Sequence, residues 1–141
     1  RDPAAGTAWA LGVQLGPRVP VQGARGLGYE ALLLLGRTIR RLTVVANVGL
    51  FVDGPTVDAP RAVAAQVGVD ATFAIGEGWS VLGEIAGQRF FTADPHQAGA
   101  TVGVAHAFPW GDLSVIGIVG FVAAGDRWGL LLGASPKFTA F

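Results

Sequence analysis

Residues 61–75 read RAVAAQVGVDATFAI, and their side chains alternate between two chemical classes. The odd positions from 63 to 75 are all apolar, whereas the even positions between them are small or polar, among them Gln66 and Asp70. Successive side chains of a β-strand point to opposite faces, so a period of two predicts a strand with one apolar face. The same alternation recurs over residues 9–16, 42–50 and 128–135.

Turn residues divide the whole chain into eight such runs. The predicted strands span residues 7–16, 27–36, 42–51, 61–75, 79–90, 97–108, 113–122 and 127–138. Most connections at one end are long, whereas those at the other end, such as Gly76-Glu77-Gly78, are tight. This asymmetry is typical of transmembrane β-barrels. We therefore expect an all-β chain, an eight-stranded antiparallel up-and-down transmembrane β-barrel that forms a single domain over residues 1–141.

The composition narrows the class of protein further. Apolar residues make up 51% of the chain and charged residues 14%, which excludes a disordered chain. The best uncharged apolar run, residues 113–125, falls short of the about 20 residues that a transmembrane helix needs. A net charge of zero argues against a nucleic-acid partner, and the absence of Cys excludes disulfides and thiolate chemistry. Because Met is absent even from position 1, we expect a chain that is processed or truncated at its start, and a cleaved signal peptide is the simplest reason.

The aromatic residues concentrate at the ends of the predicted strands. They form two rings around an aliphatic band of about ten residues, as at the two interfaces of a bilayer. A soluble barrel would carry charges on its outer face, but here the alternate face is mostly Ala, Gly, Thr and Ser. The predicted membrane-interface aromatics are Trp9, Tyr29, Phe51, Phe73, Trp79, Phe90, Phe108, Trp110, Phe121, Trp128, Phe138 and Phe141.

Charged and amide side chains on the alternate face predict a polar cluster in the lumen. A tight connection at residues 76–78 places Asp70 opposite Glu84, Gln66 opposite Gln88 and Ile75 opposite Trp79. Directly opposed Cβ atoms lie about 4.5–5.5 Å apart, so either one carboxylate stays protonated or a cation lies between them. The predicted lumen cluster is Glu30, Asn47, Gln66, Asp70, Glu84 and Gln88, with Arg41 and Lys137 as candidate cationic partners.

Three interpretations of this cluster are open at this point. It is an internal network that fills the lumen, a path for a solute or cation, or an acid–base pair for hydrolysis. We favour the first, because eight strands leave an interior just wide enough for side chains to fill. Strand seven supplies Ile116, Ile118 and Val122 to the same face, so that half of the lumen is apolar.

Other residues point to little chemistry. His96 and His106 are isolated and lack the spacing of a metal site, and no Ser lies in a hydrolase arrangement with His and an acid. We therefore expect no enzymatic activity, no metal and no cofactor. Arg37, Arg40 and Arg41 lie between strands two and three, either as a solvated turn or in contact with anionic headgroups.

The second half of the chain resembles bacterial outer-membrane proteins. Residues 78–87 (GWSVLGEIAG), 99–108 (GATVGVAHAF) and 132–138 (LGASPKF) are similar to outer-membrane transporters grouped with the phenol-degradation MetA pathway. The final Phe141 matches the terminal residue by which such barrels are recognised during assembly. The resemblance implies a small outer-membrane β-barrel and, more specifically, transport.

Together these observations predict an integral protein of the bacterial outer membrane. The lumen is mostly filled by side chains, and the role is structural or protein-interacting; the alternative is a narrow channel or transporter for small, partly hydrophobic solutes. The expected partners are outer-membrane lipids and lipopolysaccharide, the barrel-assembly machinery during biogenesis and, beyond these, a larger membrane complex. Nucleic acid is not among them.

Overall fold

Residues 62–76, which include all but the first residue of the alternating stretch, form one long strand in the computed structural model. The structure describes residues 8–19, 26–57, 60–92, 94–122 and 127–137. Eight strands form one sheet in chain order, each antiparallel to the next, so the expected all-β, up-and-down architecture is confirmed. Within the described ranges no helix is long and apolar enough to cross a bilayer. The strands are β1 (Ala8–Arg18), β2 (Gly26–Ile39), β3 (Leu42–Gly54), β4 (Ala62–Gly76), β5 (Trp79–Phe90), β6 (Gln97–Phe108), β7 (Gly111–Gly120) and β8 (Trp128–Pro136).

The first strand continues past its predicted end. Pro17 pairs with Tyr29 and Arg18 with Gly28, although a proline normally ends a strand. In the described residues β1 pairs only with β2, so its other side is a sheet edge. An edge strand tolerates proline because the missing N–H has no ladder partner to lose there. This extension places Arg18 on the sheet, where it contributes to the site described below.

The turn between β4 and β5 sets the register of the central strands. Asp70 lies opposite Glu84 and Gln66 opposite Gln88, which confirms the predicted pairings. The prediction that Ile75 lies opposite Trp79 is wrong. The register shifts between Ala74 and Gly76, so Gly76 lies opposite Trp79 instead. The reason is the left-handed backbone of the turn, with φ of 127° at Gly76, 49° at Glu77 and 82° at Gly78.

The two faces of the sheet differ in chemistry. We call the face that bears Glu30, Asp70 and Glu84 the inner face, and the opposite one the outer face. Large apolar side chains cover the outer face and remain exposed, as with Leu11 at 73% and Leu132 at 75%. In the described part of the chain the buried apolar residues are Phe51, Ala62 and Ala64. The sheet therefore lacks the large apolar core of a water-soluble domain.

The two edges of the sheet are unpaired in the described ranges. β1 hydrogen-bonds only to β2, and β8 only to β7, so no β1–β8 ladder closes the sheet. Neighbouring strands alternate in direction, and the first and last of eight strands therefore run in opposite directions. Any pairing between these two edges would be antiparallel, like the other pairings of the sheet.

The close approach of β2 and β3 at Gly49 can be tested by substitution. A Cβ atom on Gly49 would overlap the backbone carbonyl oxygen of Ala31, whereas one on Gly12, also on the inner face, would lie 3.8 Å from Leu34. We expect Gly49→Ala to lower the free energy of unfolding by about 1–3 kcal/mol, because the strands must separate. Gly12→Ala should leave it equal or slightly higher. Denaturant unfolding of both variants measures the difference, and equal values would contradict this packing.

Candidate functional site

Six of the predicted lumen residues surround one cavity on the inner face. This central cavity has a volume of about 320 Å³ and spans β1 to β5. Its lining includes three carboxylates and four side-chain amides and, in these residues, no basic side chain. The lining residues are Gln14, Glu30, Leu32, Leu34, Asn47, Gln66, Val67, Asp70, Glu84, Ala86, Gly87 and Gln88.

Asn47 links two strands at the centre of the cavity. Its Nδ2 atom donates a hydrogen bond to Oδ2 of Asp70 on β4, at 3.1 Å. Asn47 lies opposite Gly68, and a Cβ atom there would come within 2.9 Å of the same Nδ2 atom. The missing side chain at Gly68 therefore gives the amide room to reach Asp70. This bond satisfies part of the hydrogen-bonding capacity of a half-buried carboxylate.

Glu84 is the second carboxylate of the central pair. It lies directly opposite Asp70 in the β4–β5 ladder, so the two like charges face each other on the same side of the sheet. The hydroxyl of Thr101, opposite Glu84 on β6, donates a hydrogen bond to the Glu84 carboxylate. Each member of the pair thus has a neutral donor. Neither has a basic partner in the described part of the chain.

Arg18 contacts several inner-face residues near the end of the sheet with the long connections, which we call the long-loop end; the opposite end, with the tight turns, is the short-turn end. Its Nε atom donates to Oδ1 of Asp53 at 3.0 Å, and its Nη1 atom lies 3.4 Å from Oε2 of Glu30. The guanidinium also lies over the ring of Phe51, 3.8 Å from the centroid. Gln14 donates to the other Glu30 oxygen at 2.9 Å. One arginine therefore joins β1, β2 and β3 through two ion pairs and a cation–π contact.

Two aromatics lie on the inner face instead of at a membrane interface. Phe51 is only 1% exposed, and Phe90 is half-buried with its ring 5.7 Å from that of Phe51, edge to face. Their assignment as interface aromatics is therefore wrong. That assignment was based on the position of both residues near strand ends. Phe51, however, comes one residue after the outward-facing Leu50 and therefore lies on the opposite face.

Phe51 and Phe90 also line a second cavity, which we call the mouth cavity. It has a volume of about 290 Å³ and contains Arg18 and Asp53 in its wall. Gln88 lines both the mouth cavity and the central cavity. The Arg18–Glu30 ion pair joins the walls of the two cavities, because Arg18 lines the first and Glu30 the second.

The two predicted cationic partners lie elsewhere. Arg41 was expected to point into the lumen, but Ile39 pairs directly with Leu42, so Arg41 lies in the β2–β3 turn with its side chain exposed. Lys137 follows the end of β8, and its Nζ atom lies 2.8 Å from Oδ1 of Asp112. Both predictions are wrong, because parity alone does not show where a strand ends. Lys137 forms a surface ion pair, which contributes little to stability.

Most other predicted aromatics lie on the outer face or in the turns. At the short-turn end, His106 packs between Trp79 and Phe108, with ring centroids 4.5 and 4.4 Å away, and Phe108 stacks on Trp110 at 5.3 Å. Phe138 and Phe141 lie outside the described residues. The remaining exposed ones are Trp9, Tyr29, Phe73, Phe121 and Trp128.

Four residues of the site are absent from the predicted lumen cluster: Gln14, Arg18, Asp53 and Thr101. Gln14 lies within the predicted first strand with the inward parity, and extending that strand through Pro17 adds Arg18 on the same face. Asp53 was assigned to a loop because β3 was ended at residue 51, although it continues to Gly54. Among the described residues, no group of three or more His, Cys, Asp or Glu side chains is placed to hold a metal ion.

Comparison with known proteins gives no match to this chain, whether by family model, curated sequence or solved structure. The resemblance to outer-membrane transporters therefore stays a prediction from sequence motifs. Inference about function rests on the chemistry of the two faces of the sheet.

The opposed carboxylates make the first prediction about the site. Glu84→Gln removes the like charge next to Asp70 and keeps a group that can accept from Thr101, so stability at neutral pH should be equal or higher. Glu84→Ala leaves polar neighbours without a partner and should cost about 1–3 kcal/mol. Denaturant unfolding in detergent compares the two. If neither change alters unfolding, the pair is solvated and does not form an internal cluster.

Proposed function

We propose that this chain is an integral β-barrel protein of the bacterial outer membrane with a structural or protein-interaction role. The observation that carries the proposal is the exposed apolar outer face, to which all eight strands contribute. Examples from both edges and the middle are Leu15 at 74%, Ile85 at 64% and Leu130 at 69% exposed. Contiguous apolar surface of this extent is rare on water-soluble monomers and requires a cover.

Lipid is the cover that fits this face best. The apolar side chains are aliphatic in the middle of the strands, while the rings of Trp9 and Trp79 lie toward the short-turn end and that of Tyr29 toward the long-loop end. Amphipathic rings at two levels around an aliphatic band are the arrangement of membrane barrels. The expected partners are accordingly outer-membrane lipids and lipopolysaccharide, with the barrel-assembly machinery during insertion.

Membrane insertion requires that the sheet close. An open strand edge in hydrocarbon leaves N–H and C=O groups unsatisfied, at several kcal/mol each. The proposal therefore includes antiparallel pairing of β1 with β8, which an even number of strands permits. The inner face of both edges is built largely from small residues, including Gly12 and Gly16 on β1 and Gly129 and Gly133 on β8. Small side chains there let the two edges approach without steric conflict.

The internal polar network favours a structural role over turnover. The hydrogen bonds and ion pairs of Asn47, Asp70, Glu30 and Arg18 join strands β1 to β4 across the inner face. Such contacts hold strands in register, and buried polar groups require them.

A pair of neighbouring substitutions tests the membrane location. Ile85 is an exposed outer-face residue, and Ala86 lines the central cavity beside Glu84. If lipid covers the outer face, Ile85→Arg should lower stability in bilayers by about 2–4 kcal/mol, the cost of an arginine near the midplane. Ala86→Arg should be tolerated, because its charge meets carboxylates.

The measurement is urea unfolding of protein folded into phospholipid vesicles, after flotation and a gel shift between unboiled and boiled samples confirm insertion. In water an arginine in place of exposed Ile85 would be harmless. A monodisperse monomer without detergent, in which Ile85→Arg is as stable as the parent, would rule out the membrane proposal.

A second candidate function is a narrow path for small, partly hydrophobic solutes that carry a positive charge. The observation that favours it is the adjacency of the central and mouth cavities through Gln88 and the Arg18–Glu30 ion pair. Three carboxylates and two leucines line the central cavity, a combination that suits an amphipathic cation. Arg18 lines the mouth cavity and pairs with Glu30 of the central cavity, so we expect it to obstruct passage between the two.

Conductance distinguishes these two functions. We expect no steady conductance from the parent protein in a planar bilayer, because the Arg18 network would obstruct the interior of the proposed closed barrel. Arg18→Ser removes the barrier and leaves Glu30 and Asp53 without their cation, so a path through the lumen should then conduct with cation selectivity. Arg89→Gln, an exposed position on the outer face, is the matched control and should stay silent. Steady steps from the parent would contradict the closed interior, and silence from folded Arg18→Ser would contradict the path.

A further inference from the structure

Three arginines lie together at the β2–β3 hairpin and take no part in the internal network. Arg37 is on the last part of β2, and Arg40 and Arg41 form the two-residue turn between Ile39 and Leu42. All three are exposed, and no carboxylate in the described part of the chain pairs with them. The group is therefore a concentrated positive charge without an internal counter-ion.

One of the three is positioned by an aromatic ring. Arg37 and Trp9 are direct partners in the β1–β2 ladder, and the Arg37 guanidinium lies 4.7 Å from the centre of the Trp9 ring. The ring itself is 63% exposed on the outer face. A tryptophan and an arginine in this arrangement form an amphipathic pair, with an apolar body and a polar tip.

The turn residue Arg40 has a backbone conformation that a side chain rarely adopts. Its φ angle is 54°, in the left-handed region that glycine and asparagine occupy at lower cost. A glycine here would relieve the strain but remove the charge. A charged side chain held in an unfavourable backbone conformation suggests that the charge itself serves a function at this position.

The three charges lie where the apolar outer face ends. Ile39, 43% exposed, and Phe73, 46% exposed, lie next to the turn on β2 and β4. The arginine stems can therefore lie along apolar side chains while the guanidinium groups extend beyond them. This is the geometry of a bilayer boundary, where the hydrocarbon layer meets the headgroups.

We propose that Arg37, Arg40 and Arg41, together with Trp9, bind the anionic headgroup of a phospholipid in the leaflet at the short-turn end. This inference rests on the proposed membrane location. The guanidinium fork matches the phosphate group in shape and charge, and three such groups around one turn favour a headgroup with net negative charge over a zwitterionic one. The site identifies both a ligand and the leaflet in which the ligand resides.

The test measures which lipids stay bound to the protein. The full chain is folded into vesicles of phosphatidylcholine mixed with phosphatidylglycerol, extracted gently, and examined by native mass spectrometry. We expect the parent protein to retain phosphatidylglycerol preferentially. The triple variant Arg37→Gln/Arg40→Asn/Arg41→Gln should lose that preference, by about fivefold per arginine and so on the order of a hundredfold in all. Asparagine at position 40 keeps the turn foldable, because it tolerates the left-handed backbone.

The control removes the same kind of charge from the opposite end of the sheet. Arg61 and Arg89 are exposed near the long-loop end, and Arg61→Gln/Arg89→Gln should keep the parent's preference. Loss of preference in this control, or its retention in the triple variant, would overturn the site, as would displacement of the lipid by inorganic phosphate at equal concentration. Flotation is measured with vesicles of phosphatidylcholine alone and with the mixed vesicles. If the parent floats with both but shows no preference for phosphatidylglycerol, this inference alone fails. If it floats with neither vesicle, the membrane location and the headgroup site fail together.

Discussion

The structure depends on one constraint, an apolar face that extends over all eight strands and that no other part of the described chain covers. In a water-soluble sheet protein the apolar faces pack on each other or on helices, and their burial supplies most of the folding free energy. Here the described chain buries only Phe51, Ala62 and Ala64 among its apolar residues. The described residues therefore leave this face without the apolar burial that stabilises a water-soluble sheet protein. This condition favours lipid as the surrounding medium.

The inner face follows from the same constraint. Polar groups that lose water on folding must find partners within the protein. Arg18 meets this need for Glu30 and Asp53 at once, while Asn47 serves Asp70 and Thr101 serves Glu84. The result is uneven, since Glu30 and Asp53 share the charge of one arginine whereas the central carboxylates have only neutral donors. A cavity of about 320 Å³ is left between them. It is the feature that keeps transport as the second candidate.

For the polar cluster, the alternation pattern predicts the face of each residue but not the ends of the strands. Parity placed Glu30, Asn47, Gln66, Asp70, Glu84 and Gln88 on one face, and the tight turn at residues 76–78 set their register, since both are local properties. Parity could not decide where strands end. β1 continues through Pro17, and this extension brings Arg18 to Glu30. The prediction for Arg41 is wrong because β2 ends at Ile39 and β3 begins at Leu42, which leaves Arg41 in the turn.

The alternation of residue types by itself determined the eight strands, their antiparallel order and the separation of an apolar face from a polar one. Each of these follows from the two-residue period of a strand and from short turns, which need only near neighbours in the chain. Beyond the β4–β5 hairpin, the tertiary structure alone decided which polar groups meet. Arg18 and Asp53 are 35 positions apart, and Asn47 and Asp70 are 23 apart. Such pairs depend on strand ends, on the space left by Gly68 and on the reach of side chains across the sheet. No local pattern encodes these properties.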